Sequence, residues 1–139
     1  MSATPFTHLH VASGFSLKYG TSTPEALVAQ AAQLAQPTLG LTDIDSVAGA
    51  VRFIQACQRS DIAPILGADL TIAVNHQRLV TPMHGGTWLH RTQPRVTVFA
   101  HDKTSWAGLC KALSISQLSE QRFAEISETQ LMELAGQYN

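Results

Sequence analysis

The sequence predicts an α/β domain organised around parallel strands. Three observations carry that expectation. Between Phe6 and Val74, apolar strand-like runs alternate with helical stretches in the order strand, helix, strand, helix, strand. Such alternation calls for a parallel sheet with right-handed crossovers. The links between these runs are short and carry helix-start chemistry, as in Thr23-Pro24-Glu25. The chain has 139 residues, of which 45% are hydrophobic and 14% charged. That is a core-forming balance for one domain or part of a larger one, and it excludes disorder.

The elements follow in order. Phe6 to Val11 reads as a strand with Phe6, His8 and His10 on one side and Thr7, Leu9 and Val11 on the other. Gly14 to Thr23 is a loop. Thr23 caps the next helix, Pro24 takes its first position and Glu25 its first turn. Leu27, Ala31 and Leu34 mark its apolar face, and Pro37 stops it. Thr38 to Asp43 is a short apolar strand of the buried parallel type. Ser46 is the expected cap of a second helix with a face of Val47, Val51, Ile54 and Cys57 or Gln58. Strand-like sequence flanks Gly67 between residues 63 and 74. From Asn75 to Pro94 the alternation breaks into a hairpin or long loop with paired glycines and prolines. Arg95 to Asp102 restores a strand, expected parallel near 95–101. Ser105 to Ser116 is a helix carrying Trp106, Leu109, Cys110 and Leu113, and Ser127 caps a last helix. The alternation calls for another strand after Gly136, so residues 1–139 are expected to be the N-terminal piece of a longer protein. A strand edge would then be exposed or covered by a second copy.

Net charge is -1, from nine Lys+Arg against ten Asp+Glu. This excludes a strongly basic nucleic-acid face on these residues, and DNA is expected only through a larger parent. Cys57 and Cys110 lie in helical patterns and read as buried free thiols of a reducing cytoplasm. No apolar run is long enough to span a bilayer, so no membrane partner is expected.

Candidate chemistry centres on His8 and His10. Residues i and i+2 of a strand face one side, so both imidazoles can reach one ion, and zinc, manganese or iron suit such donors. In parallel sheets ligands gather at the carboxyl ends of strands. Asp43 ends the second strand and Asp69 follows the third, which makes His8, His10, Asp43 and Asp69 the candidate set. Plainer roles stand beside it: Asp43 as an Asx-type cap of the turn before Ser46, and Asp69 as a solvated turn residue. His84 and His90 read as exposed loop residues, and His101 as a strand end without ligand spacing. Trp88 and Trp106 read as packing residues, Gly85-Gly86 as a turn, and Arg52 and Arg59 as a solvated helix face.

The ordered motifs HLHVAS, TPEALVAQAA, LTDIDSVAGAVRF and PILGADL resemble the PHP (polymerase and histidinol phosphatase) domain. The resemblance is narrower still to the PHP domain at the N-terminus of bacterial C-family DNA polymerases, the alpha subunit of DNA polymerase III and its error-prone relatives. RVTVFAHDKTSWAGLCKALS is similar to the stretch that follows there, so the resemblance covers Phe6 to Leu118. GFSLKYGTSTPEALV leans toward the error-prone branch.

The resemblance implies a distorted seven-stranded α/β barrel, incomplete in this chain, with a metal cluster at the strand ends. Active members hydrolyse phosphoesters there. His8 and His10 match the first motif. Tyr19 stands where the family has an acidic or histidine ligand, Ile44 where it has a histidine, Asp69 where it has a glutamate and Arg95 where a histidine is expected. These departures point to a degenerate metal motif with no tightly bound cofactor and no catalytic residues. A single weakly held divalent ion, zinc or manganese, stays open as an alternative. The implied parent is a DNA-directed DNA polymerase, a nucleotidyltransferase of DNA replication or repair synthesis. The module itself would be an inactive scaffold, with the remainder of the polymerase chain and a proofreading exonuclease or other replisome protein as partners. The competing class is a stand-alone metal-dependent PHP phosphoesterase.

Overall fold

The computed structural model describes residues 6–73, 93–118 and 124–138. Strand β1 (Thr38–Ile44) is buried from Leu39 to Asp43 and partly buried at its two ends. It pairs in parallel with β2 (Ala63–Thr71), Thr38 opposite Ala63 and Ile44 opposite Asp69. The third strand, β3 (Arg95–Ala100), pairs with β2 antiparallel, Thr71 opposite Arg95 and Leu66 opposite Ala100. The expected parallel strand near 95–101 is therefore present with the opposite direction. The parallel rule holds where a helix makes the crossover, and the sequence from 75 to 94 offers no helical period, so an antiparallel return is the connection it allows. The expected hairpin or loop there, with His84, Gly85, Gly86, Trp88 and His90, lies outside the described residues.

The first expected strand is reduced to one parallel bridge, His8 to Leu39. His8 O accepts from Gly40 N at 2.8 Å and Val11 O from Thr42 N at 2.9 Å. Gly40 permits this approach, since a Cβ there would lie 2.5 Å from the Leu9 carbonyl oxygen. Ile126 bridges Ile72 and donates to Thr71 O, along the same edge on which Asp45 donates to Asp69 O. It thus continues the pairing where β1 ends.

Helix α1 (Pro24–Gln33) starts as its sequence predicts, with Thr23 accepting from Ala26 N. Its buried face is Pro24, Val28 and Ala31, whereas Leu34 is exposed beyond the helix end. Helix α2 (Ala50–Arg59) begins later than expected. Its N-cap is Gly49, without a side-chain bond, while Ser46 instead accepts from Ala48 N in the preceding turn. Gly49 is closely packed: a Cβ would meet the Phe15 ring at 3.0 Å and an Asp43 oxygen at 3.2 Å. The α2 core face is Ala50, Phe53, Ala56 and Cys57, and Val51 is exposed. Helix α3 (Lys103–Gln117) starts before Ser105: Asp102 is its cap and Ser105 closes a capping box with it. Helix α4 (Glu128–Gln137) is capped by Ser127, as expected.

Strand alternation sorts the sheet into two unlike faces. Leu39, Leu41, Leu66, Ala68, Leu70, Val98 and Ala100 face the helices. They split between one core with α1 and α2 and another with α3 and α4, where Trp106 packs. The other face carries Gly40, Thr42, Ile44, Gly67, Asp69, Thr71, Arg95, Thr97 and Phe99 by the observed register, and no strand residue on it belongs to either core. Among the described residues the sheet is open, and no helix is long and apolar enough to cross a membrane.

Candidate functional site

The loop after Val11 folds over the end of β1 and fixes the site. Ser16 N donates to Ser13 O, Gly20 N donates to Ser16 O and Gly14 N donates to Ser22 O, which closes a tight ring of backbone. A Cβ on Gly20 would collide with the Ser13 carbonyl. Asp43, 1% exposed, binds this loop to the sheet. Its carboxylate accepts from Ser13 N at 2.7 Å, Ser13 Oγ at 2.8 Å and Ser16 Oγ at 2.6 Å. Ser16 Oγ in turn accepts from Ile44 N at 2.9 Å. The Asx-cap role expected beside Ser46 is thus replaced by a longer-range one, anchoring residues 13–16.

Asp69 is a buried strand residue at 6% exposure, not a solvated turn residue. Its Oδ1 accepts from Thr97 Oγ1 at 3.0 Å, and its Oδ2 lies 3.4 Å from His10 Nε2. His8 is exposed and meets the Phe6 ring edge-on at 4.8 Å. Of the four candidates, the structure brings together only His10 and Asp69. Register explains why Asp43 does not join them. Asp43 opposes Ala68 and Asp69 opposes Ile44, so the two carboxylates point from opposite faces of the sheet. The residue that shares the face of Asp69 at this level is Ile44, which has no donor atom.

Two positions singled out only as departures meet each other. Arg95 Nη2 donates to the Tyr19 hydroxyl at 2.9 Å, and the guanidinium lies 4.8 Å from the Tyr19 ring centre. Arg95 Nε is buried without a hydrogen-bond partner. The antiparallel direction of β3 makes this contact, because it sets residue 95 beside Thr71 at the carboxyl end of β2.

Asp45 and Thr71 were not among the residues picked out by sequence. Asp45 has φ 48°, a left-handed conformation that Asp tolerates in turns. Its oxygens accept from Thr71 N at 2.8 Å and Thr71 Oγ1 at 2.6 Å. Burial pushes its carboxyl above the ordinary value, opposed by the Thr71 bonds and the nearby Arg95 charge. The one signal in the sequence is the TDID run, which places a second acid just past the strand end.

This donor set does not fit the metal cluster of the fold family. Asp43 is saturated by serines on the wrong face, Ile44 cannot ligate, and Arg95 adds positive charge among the acids that would hold an ion. Among the described residues no three His, Cys, Asp or Glu side chains converge on a common point. His101 is exposed with Nε2 3.6 Å from an Asp102 oxygen. Arg52 pairs with Glu25 at 2.7 Å on the surface, and Arg59 is exposed. Cys57 is buried and its thiol is pushed up to about 11 by burial, while Cys110 is partly buried.

The error-prone DNA polymerase of Symbiobacterium thermophilum is 38% identical over 131 residues, covering 78% of this chain and 12% of that protein. The error-prone DNA polymerase of Mycolicibacterium paratuberculosis is 34% identical over 118 residues, covering 85% of this chain and 10% of that protein. The chain thus spans about a tenth of the length of these relatives. Among solved structures, a protein of Bifidobacterium adolescentis provisionally described as a metal-dependent phosphoesterase superposes with a TM-score of 0.52 at 18% identity, over 80% of this chain and 34% of that one. An amidohydrolase of Chromobacterium violaceum with bound sulfate gives 0.52 at 20% identity, over 80% and 37%. At that identity the likeness is one of fold. The PHP domain profile matches residues 8–139, and the chain belongs to the PHP domain family.

Proposed function

We propose that this chain is the N-terminal PHP portion of an error-prone C-family DNA polymerase, and that it serves as a non-hydrolytic scaffold for the polymerase. The observation that carries this reading is the Tyr19–Arg95 contact on the face where a PHP metal centre would form. Two positions that match ligands of the family motif are bonded to each other, and a third is the apolar Ile44. The identity to error-prone polymerases supports the same parent. In this reading the remaining barrel strands, the polymerase palm and all contact with DNA belong to the rest of the polymerase chain. A proofreading exonuclease or other replisome protein is the partner class for the scaffold, in the cytoplasm, during replication or repair synthesis. No catalytic residue is assigned among residues 1–139.

The test has two arms. The reading frame after Asn139 should encode polymerase palm and finger motifs. The purified protein should not hydrolyse a generic phosphomonoester with added manganese or zinc. Turnover that disappears in His8→Ala and His10→Ala would instead establish the second reading, a metal-dependent phosphoesterase. The close approach of His10 to Asp69 is the observation that favours that alternative.

A further inference from the structure

We propose that the Arg95 guanidinium is the resident cation of the polar sheet face, standing where a divalent ion would be needed to balance Asp69 and Asp45 and thereby keeping such ions out. This inference rests on the non-hydrolytic reading and gives it a physical cause. Arg95 and Thr97 oppose Thr71 and Asp69, so all four side chains project from one face. Arg95 and Asp69 are diagonal neighbours across the strand pair, within reach of a long side chain. Asp45 bonds to Thr71 directly beside Arg95 and is influenced by the charges of both Arg95 and Asp69. A buried guanidinium N–H without a partner is costly, and Arg95 Nε is one. What holds the group in place is the Tyr19 ring and hydroxyl, with the Asp45 and Asp69 carboxylates on the same side of the sheet at longer range. Tyr19 lies 76 residues away in sequence, delivered by the loop that Asp43 anchors. The cation is thus built into the fold by its place on β3 and by the loop that carries Tyr19. With it removed, His10 Nε2 and the Asp69 carboxylate remain as adjacent nitrogen and oxygen donors, a set that takes manganese weakly.

The test is titration with Mn²⁺ alone, read as paramagnetic broadening of the His10 ring resonances by NMR. The quantity scored is the part of that broadening that depends on Asp69, obtained by repeating each titration with Asp69→Asn. In the unmodified protein, Asp69→Asn should leave His10 broadening unchanged. In Arg95→Met, His10 should broaden several-fold more at the same Mn²⁺ concentration, and Asp69→Asn should abolish the gain. Arg95→Lys keeps the charge without the planar stack and should behave as the unmodified protein. Should Arg95→Met lose the fold, Arg95→Gln is neutral and is scored by the same criterion. Asp69-dependent broadening with Arg95 in place, or none in the neutral variants, overturns the proposal. Phosphomonoester turnover tests the functional reading separately: a neutral variant that stays unresponsive while the unmodified protein remains inactive sinks only the present inference.

Discussion

Replacing Asp43 with alanine tests what the acid at the end of β1 now does. The substitution removes an acceptor that is 1% exposed and serves Ser13 N, Ser13 Oγ and Ser16 Oγ. A hydrogen bond to a charged group contributes about 1.5–3 kcal/mol, so three would sum to about 4.5–9 kcal/mol. The sum overstates the loss. Removing the carboxylate also removes its desolvation cost, and Ser16 Oγ keeps its bond from Ile44 N. An overall cost of about 3–5 kcal/mol is expected, from buried donors left without their acceptor at about 1–3 kcal/mol each. For a chain of this size that is a fall of about 10–20 °C in Tm. Asp43→Asn retains one acceptor oxygen and should lose about 1–2 kcal/mol. Urea denaturation supplies both values, and amide exchange at Ser13 should accelerate in the alanine variant. A loss below about 1 kcal/mol in Asp43→Ala would refute the anchoring argument. If Asp43 were instead a metal ligand, chelation of the unmodified protein would reproduce the loss, and the substitutions would add nothing after chelation.

Gly40→Ala should destabilise by about 1–3 kcal/mol through overpacking, since its Cβ would press on Leu9 backbone only 2.5 Å away; urea denaturation reads the loss. A thiol reagent at pH 8 should label Cys110 quickly and Cys57 only on unfolding, because burial shields Cys57 and pushes its thiol up to about 11; mass spectrometry of each peptide gives the order. Asp45 gives a pH signature. Its folded carboxyl binds a proton more readily than in the unfolded chain, chiefly through burial, so its contribution to stability grows as pH falls toward the ordinary Asp value and is lost as pH rises above that window. The stability of the unmodified protein relative to Asp45→Asn should therefore rise between pH 6 and 4, and a flat difference across that interval would contradict the assigned shift.

The helices and inner strands were legible in the sequence because local chemistry decides them. Thr23 and Ser127 cap the helices they precede, and the apolar run from Thr38 gives a strand buried between its ends. Helix faces were less legible. Leu34 and Val51 fit an apolar period but point to solvent, while Phe53 and Val28 carry the core, because the sheet and not the helix chooses which side is covered. The direction of β3 could not be read from its own residues, since Arg95 to Ala100 alternates in the same way whichever direction it runs. The start of α2 was misplaced because Ser46 is a good cap by type, yet the packing of Gly49 on Phe15 and Asp43 sets the boundary.

The site shows the same division between local and non-local information. Spacing expects His8 and His10 on one side of a strand, but the fate of the acids depends on register, which no single strand encodes. One residue of offset separates the two outcomes. Asp43, opposite Ala68, faces the serine loop, and Asp69, opposite Ile44, faces His10. Had β1 and β2 slipped by one position, both acids could have lined a single face, but Leu41 and Leu66 would then point from opposite faces and one of them would leave the α1–α2 core they now share. The hydrophobic core therefore fixes the register, and the register assigns Asp43 to structure. On the polar face that remains, antiparallel pairing brings Arg95 to Thr71 and hence to Tyr19. Tyr19 and Arg95 stand 76 residues apart in sequence, and only the fold brings them together. Together they fill the strand ends with a charge and an aromatic ring, and that arrangement separates a phosphoester-cleaving centre from the scaffold proposed here.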